Sequence, residues 1–352
     1  MKKKLRLTFL IIMPFTALFL YAGCVFLQPR EFTGEEFLMD TLVSISAYGA
    51  DTDLLRSATN EAFAEMRRIE DLTDRFDAKK NPADPSSEVN RINEMAGIAP
   101  VPVGEDVFTM LQAAKAYFTL TKGAFDVTIG PVMDLWGFGR ESYHVPTEEE
   151  LREALTLVDS DQLILDREKQ TAYLAQPGMS LDLGAIAKGY AVERAAAVLR
   201  ERGIERALIN AGGNIRVLGE RAQNTPWRIG VQDPRAPSEL AGIVELTAEA
   251  ATTSGDYNRV FTLDGKNYHH LISSLTGYPA EDNISVTVIT PDAFQGDLLS
   301  TALFLLDSSE ALRLAEELED TEVFLITSGM NILYSSGLKE KIEVKTNGRY
   351  SL

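Results

Sequence analysis

The apolar residues of the chain switch between a period of two and a period of three to four, and the switches mark out its elements. Residues 37–48 (FLMDTLVSISAY) have the β-branched content and partial alternation of a strand. Over 51–76, Leu55, Ala58, Ala62, Met66, Ile69, Leu72 and Phe76 recur at steps of three and four, which predicts a helix with one apolar face. Residues 77–87 are polar and hold Pro82 and Pro85, so they read as a loop, and SSEVNRIN at 86–93 reads as a short capped helix. Val107, Leu111, Ala114 and Phe118 mark another helix that stops near Lys122 and Gly123. A helix over 146–158 takes Thr147 as its N-cap, with Glu148, Glu149 and Glu150 in the first turn. Residues 163–174 predict a hairpin. It feeds LDLGAIAKGYA at 181–191, a short apolar strand that turns at Gly184 into a helix through Val192, Ala195, Val198 and Leu199. Gly203 is placed to cap that helix.

The second half reads mostly as strands. Residues 207–210 and 215–218 flank Gly212-Gly213, a pair that implies a bulge or a close backbone approach. Further strands are expected at 227–231, 243–246 and 284–289, with a polar turn at 252–257. Asp264-Gly265 predicts a hairpin over 261–268. Helices are expected at 295–306 and 311–318, the latter with Asp307 and Glu310 at capping-box spacing, before a closing hairpin at 322–336 and a last short strand at 341–345. Strands and helices mix without a βαβ rhythm. The fold class is therefore α+β, with mixed or antiparallel sheets and flanking helices.

Composition narrows the function. A net charge of −18 over 352 residues disfavours nucleic acid as a partner and requires any anionic ligand to find a locally basic or metal-bearing site. The N-terminus carries Lys2, Lys3, Lys4 and Arg6 ahead of an apolar run at 7–20, then Ala22, Gly23 and Cys24, the single cysteine. This is the layout of a lipoprotein signal over 1–24 with Cys24 as lipid acceptor, although Tyr21 stands where leucine is usual. An uncleaved anchor and an ordinary signal peptide are the other readings. All three put the folded part outside the cytoplasm, on the outer face of a bacterial membrane if Cys24 is lipidated. Residues 25–36 then form a tether, and 37–352 the functional domain.

Three histidines cannot build a zinc site, and no Walker, Rossmann or Gly-x-Ser-x-Gly signature is present. An oxygen-ligand option remains. Asp297, Ser300 and Thr301 lie at i, i+3 and i+4, one face of a helix, and a carboxylate with hydroxyls suits Mg²⁺. The alternative is that Asp297 only serves the helix macrodipole. The 181–191 corner offers backbone N–H groups and Lys188 to an anionic oxygen, or is an ordinary helix entry. Trp136 and Phe138, spaced by Gly137 and Gly139, either stack on a planar ligand or form a structural corner.

Eight motifs occur in one order: MDT at 39–41, SSEVNRIN at 86–93, GAFDVTIGPVMDLWGFG at 123–139, LDLGAIAKGYAVERA at 181–195, INAGGNIRVLG at 209–219, TTSGDYNRVF at 252–261, HHLISSLTGYP at 269–279 and GDLLSTALF at 296–304. Together they resemble the FAD:protein FMN transferase family, the ApbE-like flavin transferases, from about residue 37 to 306. The resemblance implies an ApbE-like (T-fold-like) architecture and a Mg²⁺-dependent reaction. FAD is split at its pyrophosphate, FMN is joined by a phosphoester to a threonine or serine of an acceptor flavoprotein, and AMP leaves. Matched position by position, Met39, Ala124, Phe125, Asp126, Asp182, Lys188 and Ile272 correspond to FAD contacts. Asp297, Thr301 and the Ala185 carbonyl correspond to metal ligands, with Ser300 in the same turn. His270 corresponds to the histidine given a catalytic role, while packing or adenine binding is its other reading. Tyr257 is a further candidate to line a flat ring. The family commonly has Asp or Asn followed by Pro where this chain has Ser273-Ser274. With water in place of the acceptor hydroxyl, the same site would be a FAD pyrophosphatase. Without turnover it would be a flavin-storage lipoprotein, a role that needs no catalytic metal.

Overall fold

The computed structural model describes residues 30–76, 87–140, 142–221 and 225–352. Cys24 and most of the expected loop at 77–87 lie outside these residues. In chain order come β1 (Arg30–Leu38), β2 (Thr41–Gly49), α1 (Thr52–Thr73), α2 (Glu88–Glu94), β3 (Val101–Pro102) and α3 (Glu105–Leu120). There follow α4 (Gly130–Trp136), α5 (Glu148–Leu155), β4 (Leu163–Asp166), β5 (Thr171–Leu174), α6 (Ala187–Glu201), β6 (Arg206–Ala211) and β7 (Asn214–Leu218). Next are β8 (Trp227–Gln232), β9 (Leu240–Leu246), β10 (Ala250–Gly255), β11 (Val260–Leu263), β12 (Lys266–His269) and β13 (Asn283–Thr290). The chain closes with α7 (Ala293–Phe304), α8 (Ser308–Glu317), β14 (Glu322–Thr327), β15 (Ile332–Tyr334) and β16 (Ile342–Val344).

An 8-stranded sheet in the order β1-β2-β6-β7-β10-β13-β14-β15 forms the frame, and every neighbouring pair in it is antiparallel. The expected α+β class holds. On one face α1 and α6 pack over β2 and β6, through Leu55, Ala62, Met66, Val192 and Leu199 against Val43, Ile45 and Ile209. Beside them α7 and α8 bury Leu299, Leu303 and Leu314 against Val286 and Val288. The opposite face is covered by the sheet β16-β9-β8, which packs Ile229, Val244 and Leu246 onto Val217, Ala251 and Phe324. With layers on both sides β13 is buried throughout, so that Ser285 and Thr287 are buried as fully as Ile284, Val286 and Val288, with which they alternate.

Several expectations change. The expected tether at 25–36 overlaps β1, which pairs with β2 from Arg30↔Gly49 to Leu38↔Thr41, so residues 37–48 are a hairpin end and not one strand. Met39 (φ 52) and Asp40 (φ 59) make its two-residue turn, and a methionine there hides the left-handed conformation from a sequence reading. The Gly212-Gly213 pair is likewise a hairpin turn, with φ 58 and 99, and a side chain at Gly212 would meet Thr41 Oγ1 at 2.4 Å. The polar 252–257 stretch is largely strand β10, because β-branched threonines fit between β7 and β13. Residues 181–183 are not a strand. The Asn93 side chain takes the place of a neighbouring strand there, accepting from Leu181 N–H (2.7 Å) and donating to Leu181 C=O (3.1 Å).

Candidate active site

The turns β1–β2 and β6–β7, the end of β10 and the start of β13 meet at one end of the large sheet. On its helical face the start of α6 lies against the first turns of α7. Helix α7 begins at Ala293 with Asp292 as its own N-cap, so Asp297 lies one turn inside and is not a cap. It is buried, and its Oδ2 accepts the Gly189 N–H of α6 at 2.7 Å. A Cβ at Gly189 would lie 2.3 Å from Asp297 Cβ and 2.4 Å from Ala293 O, so only glycine allows this approach. Burial raises the Asp297 pKa, and the Lys188 charge, the Gly189 N–H and the Asn214 amide offset part of that rise.

Hydroxyl groups gather one turn further along the same face of α7. Ser254 Oγ of β10 lies 2.9 Å from Ser300 Oγ and 3.3 Å from Thr301 Oγ1. Ser300 Oγ also donates to Asp297 C=O at 3.1 Å. Asn214 Nδ2 faces the Asp297 carboxylate closely enough to favour its charge but outside hydrogen-bond geometry, and Thr252 Oγ1 is buried without a hydrogen-bond partner. Thr252 Oγ1 borders Gly296, where a Cβ would approach it to 2.9 Å. Ala185 packs on the cluster that holds Leu298 and Ala302 of α7. A lone buried carboxylate with the hydroxyls of Thr252 and Thr301 near it fits a hard cation that takes oxygen ligands and keeps water. Among the described residues no set of three or more His, Cys, Asp or Glu is placed to hold a metal.

His270 follows β12. Its Nδ1–H donates to Asn258 C=O at 3.0 Å, which leaves Nε2 as the lone-pair nitrogen. Burial first, and then the Arg259 guanidinium, push its pKa down to about 3, with Lys188 adding to the effect. The charge of Lys188 is thus felt by both Asp297 and His270. Arg259 pairs with Asp40 at 3.1 Å, which joins the β1–β2 turn to the loop that holds His270. Met39 sits in that turn, and its N–H donates to Glu70 Oε1 at 2.8 Å.

The other expected residues fall into a supporting wall. Asp126 is buried, and its carboxylate accepts from Thr128 N–H (2.7 Å), Thr128 Oγ1 (2.7 Å), Ser160 N–H (2.9 Å) and Ser160 Oγ (2.6 Å). Asp182 pairs with Arg75 (2.7 Å) and accepts from Gly184 N–H (2.8 Å), and Arg75 also reaches Asp134 (2.9 Å). Ala124 and Phe125 are buried. Ser274 ties Ala124 to the His270 loop, its Oγ donating to Ala124 C=O at 2.9 Å and also to Gly123 C=O. The Ser273-Ser274 departure therefore has a structural use. Ile272 packs with Val132, Trp136 and Phe138. Trp136 donates to Gly277 C=O at 2.8 Å and its ring lies 5.3 Å from Tyr268, so the aromatic loop is a structural corner against β11 and β12. Tyr257 folds back on Gly255 and is buried enough to raise its pKa. His269 is also structural, bonded to Ala280 C=O at 3.0 Å.

Ser254, Arg75 and Asn93 were not singled out from sequence. Ser254 and Asn93 belong to the TTSGDYNRVF and SSEVNRIN motifs, but only the fold shows that β10 faces α7 and that Asn93 reaches Leu181.

The sequence model described as the ApbE family matches residues 39–325. The FAD:protein FMN transferase of Klebsiella pneumoniae (strain 342) is 36% identical over 309 residues, covering 87% of this chain and 92% of the relative. That of Treponema pallidum (strain Nichols) is 30% identical over 330 residues, covering 90% of each. The crystal structure of the ApbE protein from Thermotoga maritima superposes with a TM-score of 0.80 at 33% identity, over 89% of this chain and 99% of that one. The flavin transferase ApbE from Vibrio cholerae does so with a TM-score of 0.77 at 29% identity, over 89% and 99%.

Proposed function

The chain belongs to the ApbE family, and from that premise we propose that it is a FAD:protein FMN transferase dependent on Mg²⁺. The observation that carries the metal part of this reading is Asp297, a buried carboxylate with one backbone donor among hydroxyl groups. Burying such a charge costs several kcal/mol, Lys188 offsets part of that cost, and a cation on the remaining lone pairs would offset the rest. Asp297, Thr301 and the Ala185 carbonyl would hold the ion, with Ser300 and Ser254 behind them. When bound, Mg²⁺ supplies charge neutralisation at the pyrophosphate and the departing AMP.

The remaining work falls to the protein's own side chains. Lys188 neutralises phosphate charge in an acidic molecule. Met39, Ala124, Phe125 and Ile272 shape the flavin nucleotide's bed, with Asp126 and Asp182 holding its backbone in place. His270 Nε2 accepts the proton of the incoming acceptor hydroxyl, while Asn258 fixes the tautomer. On its own His270 is a weak base, because burial first and then Arg259 and Lys188 oppose its protonation. An anionic pyrophosphate beside Lys188 offsets those charges and raises its basicity as the substrate enters.

Incubation with FAD, Mg²⁺ and an acceptor domain bearing a threonine tests the reading, scored by flavin fluorescence on the denatured acceptor. Labelling is expected. Free FMN and AMP without labelling would make the chain a pyrophosphatase, and intact FAD a storage protein. We also propose that Cys24 is lipidated and anchors the enzyme on the extracytoplasmic side of a bacterial membrane. Cys24→Ser should then move the protein out of the membrane fraction, and unchanged membrane retention would refute the anchor.

A further inference from the structure

Helices α6 and α7 are joined by two carboxylate-to-amide bonds that run in opposite directions. Asp297 of α7 accepts Gly189 N–H of α6 at 2.7 Å, and Glu193 of α6 accepts Ala293 N–H of α7 at 3.0 Å. Gly189 and Glu193 are one turn apart, as are Ala293 and Asp297, so the N-terminal turns of the two helices clasp each other antiparallel. Each bond satisfies a first-turn amide that its own helix leaves open. Helix α6 has no side-chain cap from its own N-cap residue, and the α7 cap, Asp292, is bonded to Gln295 N–H. Glu193 is itself held from below. Arg216 of β7, nearly fully buried, pairs with Glu193 Oε2 at 2.9 Å and donates to Val217 C=O (2.9 Å) and Ala248 C=O (2.6 Å).

We propose that Glu193 is a positioning residue for the Asp297 site, fixing through Ala293 N–H, with Arg216 behind it, the register of α7 against α6. This rests on the reading of Asp297 as a metal ligand. Glu193 touches neither the expected ligands nor a reacting atom. Its effect is on aim, because a slip of α7 along α6 carries Asp297, Ser300 and Thr301 away from Ala185 and Lys188 together. Partners that orient metal ligands typically change affinity by 10- to 100-fold when removed.

The test is a Mn²⁺ titration followed by the EPR signal of free Mn²⁺, on the full chain with FAD present and no acceptor. In parallel, FAD binding in EDTA is followed by flavin fluorescence. Glu193→Ala should weaken Mn²⁺ by about 10-fold or more and leave metal-free FAD binding unchanged. Glu193→Gln keeps a carbonyl oxygen for Ala293 N–H and should recover most of the affinity. Wild-type Mn²⁺ affinity in Glu193→Ala overturns the inference alone. A Glu193→Gln variant that falls as far as Glu193→Ala also overturns it, since the amide bond is then not the lever. No Mn²⁺ binding by the wild type overturns both this inference and the metal reading beneath it.

Discussion

Two regions of this molecule each bury an aspartate, and they treat it differently. In the loop that precedes α4, Asp126 accepts four hydrogen bonds, from the backbone and side chains of Thr128 and Ser160. At the crossing of α6 and α7, Asp297 accepts one backbone N–H, and its pKa is raised by burial. A carboxylate offers about four acceptor sites. Where the protein fills them, the charge is dispersed into the loop and the residue is architecture. Where it leaves them open in a dry place, the residue is a ligand in waiting. The count of donors separates the two roles better than burial does, since both residues are buried.

The sharpest way to break this contrast is Asp297→Asn. Transfer activity should fall by about 10³-fold or more, the scale of losing an electrostatic group that acts on the transition state. The rise in melting temperature on adding Mg²⁺ with FAD should vanish. The metal-free protein should melt no lower than the wild type, because the substitution removes a charge whose burial is unfavourable. Melting curves with and without Mg²⁺ check this, and a lower metal-free melting point would place Asp297 with Asp126 as architecture.

Asp126→Ala is the converse. Removing the acceptor strands buried donors on Thr128 and Ser160, at a cost of about 3–5 kcal/mol. Urea unfolding should show that loss while the Mg²⁺-dependent melting shift remains in the folded fraction. Arg75→Met is expected to act in the same direction and less, by about 2 kcal/mol, since it leaves Asp182 without its cation while the more exposed Asp134 keeps Arg140. If either variant removed the Mg²⁺ shift at unchanged stability, the division between wall and metal site would fail.

Much of this was legible in the sequence. The apolar periods of α1, α3, α6 and β13 mark helices and a strand, because burial on one face or two imposes the pattern directly. The pairing of residue 182–191 chemistry with Asp297 was legible only through the ordered motifs. It rests on a contact between Gly189 and Asp297, 108 positions apart. What sequence misses is where a polar side chain spends its hydrogen bonds. Asp126, Asp182 and Asp297 look alike as letters, and so do Ser254 and Ser274, yet one serine faces α7 and the other ties Ala124 to the His270 loop. Asn93 acts as a strand partner for Leu181, a use that no periodicity announces.

The effect smallest at neutral pH concerns His270, whose pKa in the folded protein lies near 3 against an ordinary value of 6.5. A histidine depressed on folding binds its proton more readily when unfolded. Its contribution to stability is therefore fully present above about pH 6.5 and is lost as pH falls from there toward 3. The wild type should lose stability with a steeper slope over that window than His270→Asn, which has no proton to take up; urea midpoints at a series of pH values read the difference. The same depression predicts that kcat/KM, which reports the free enzyme, has no acidic limb near 6.5 from this residue. A limb there that disappears in His270→Asn would mean that the ring is open to water in the free enzyme. The cleft beside Lys188 and Arg259 would then belong with the exposed surface and not with the dry crossing that holds Asp297.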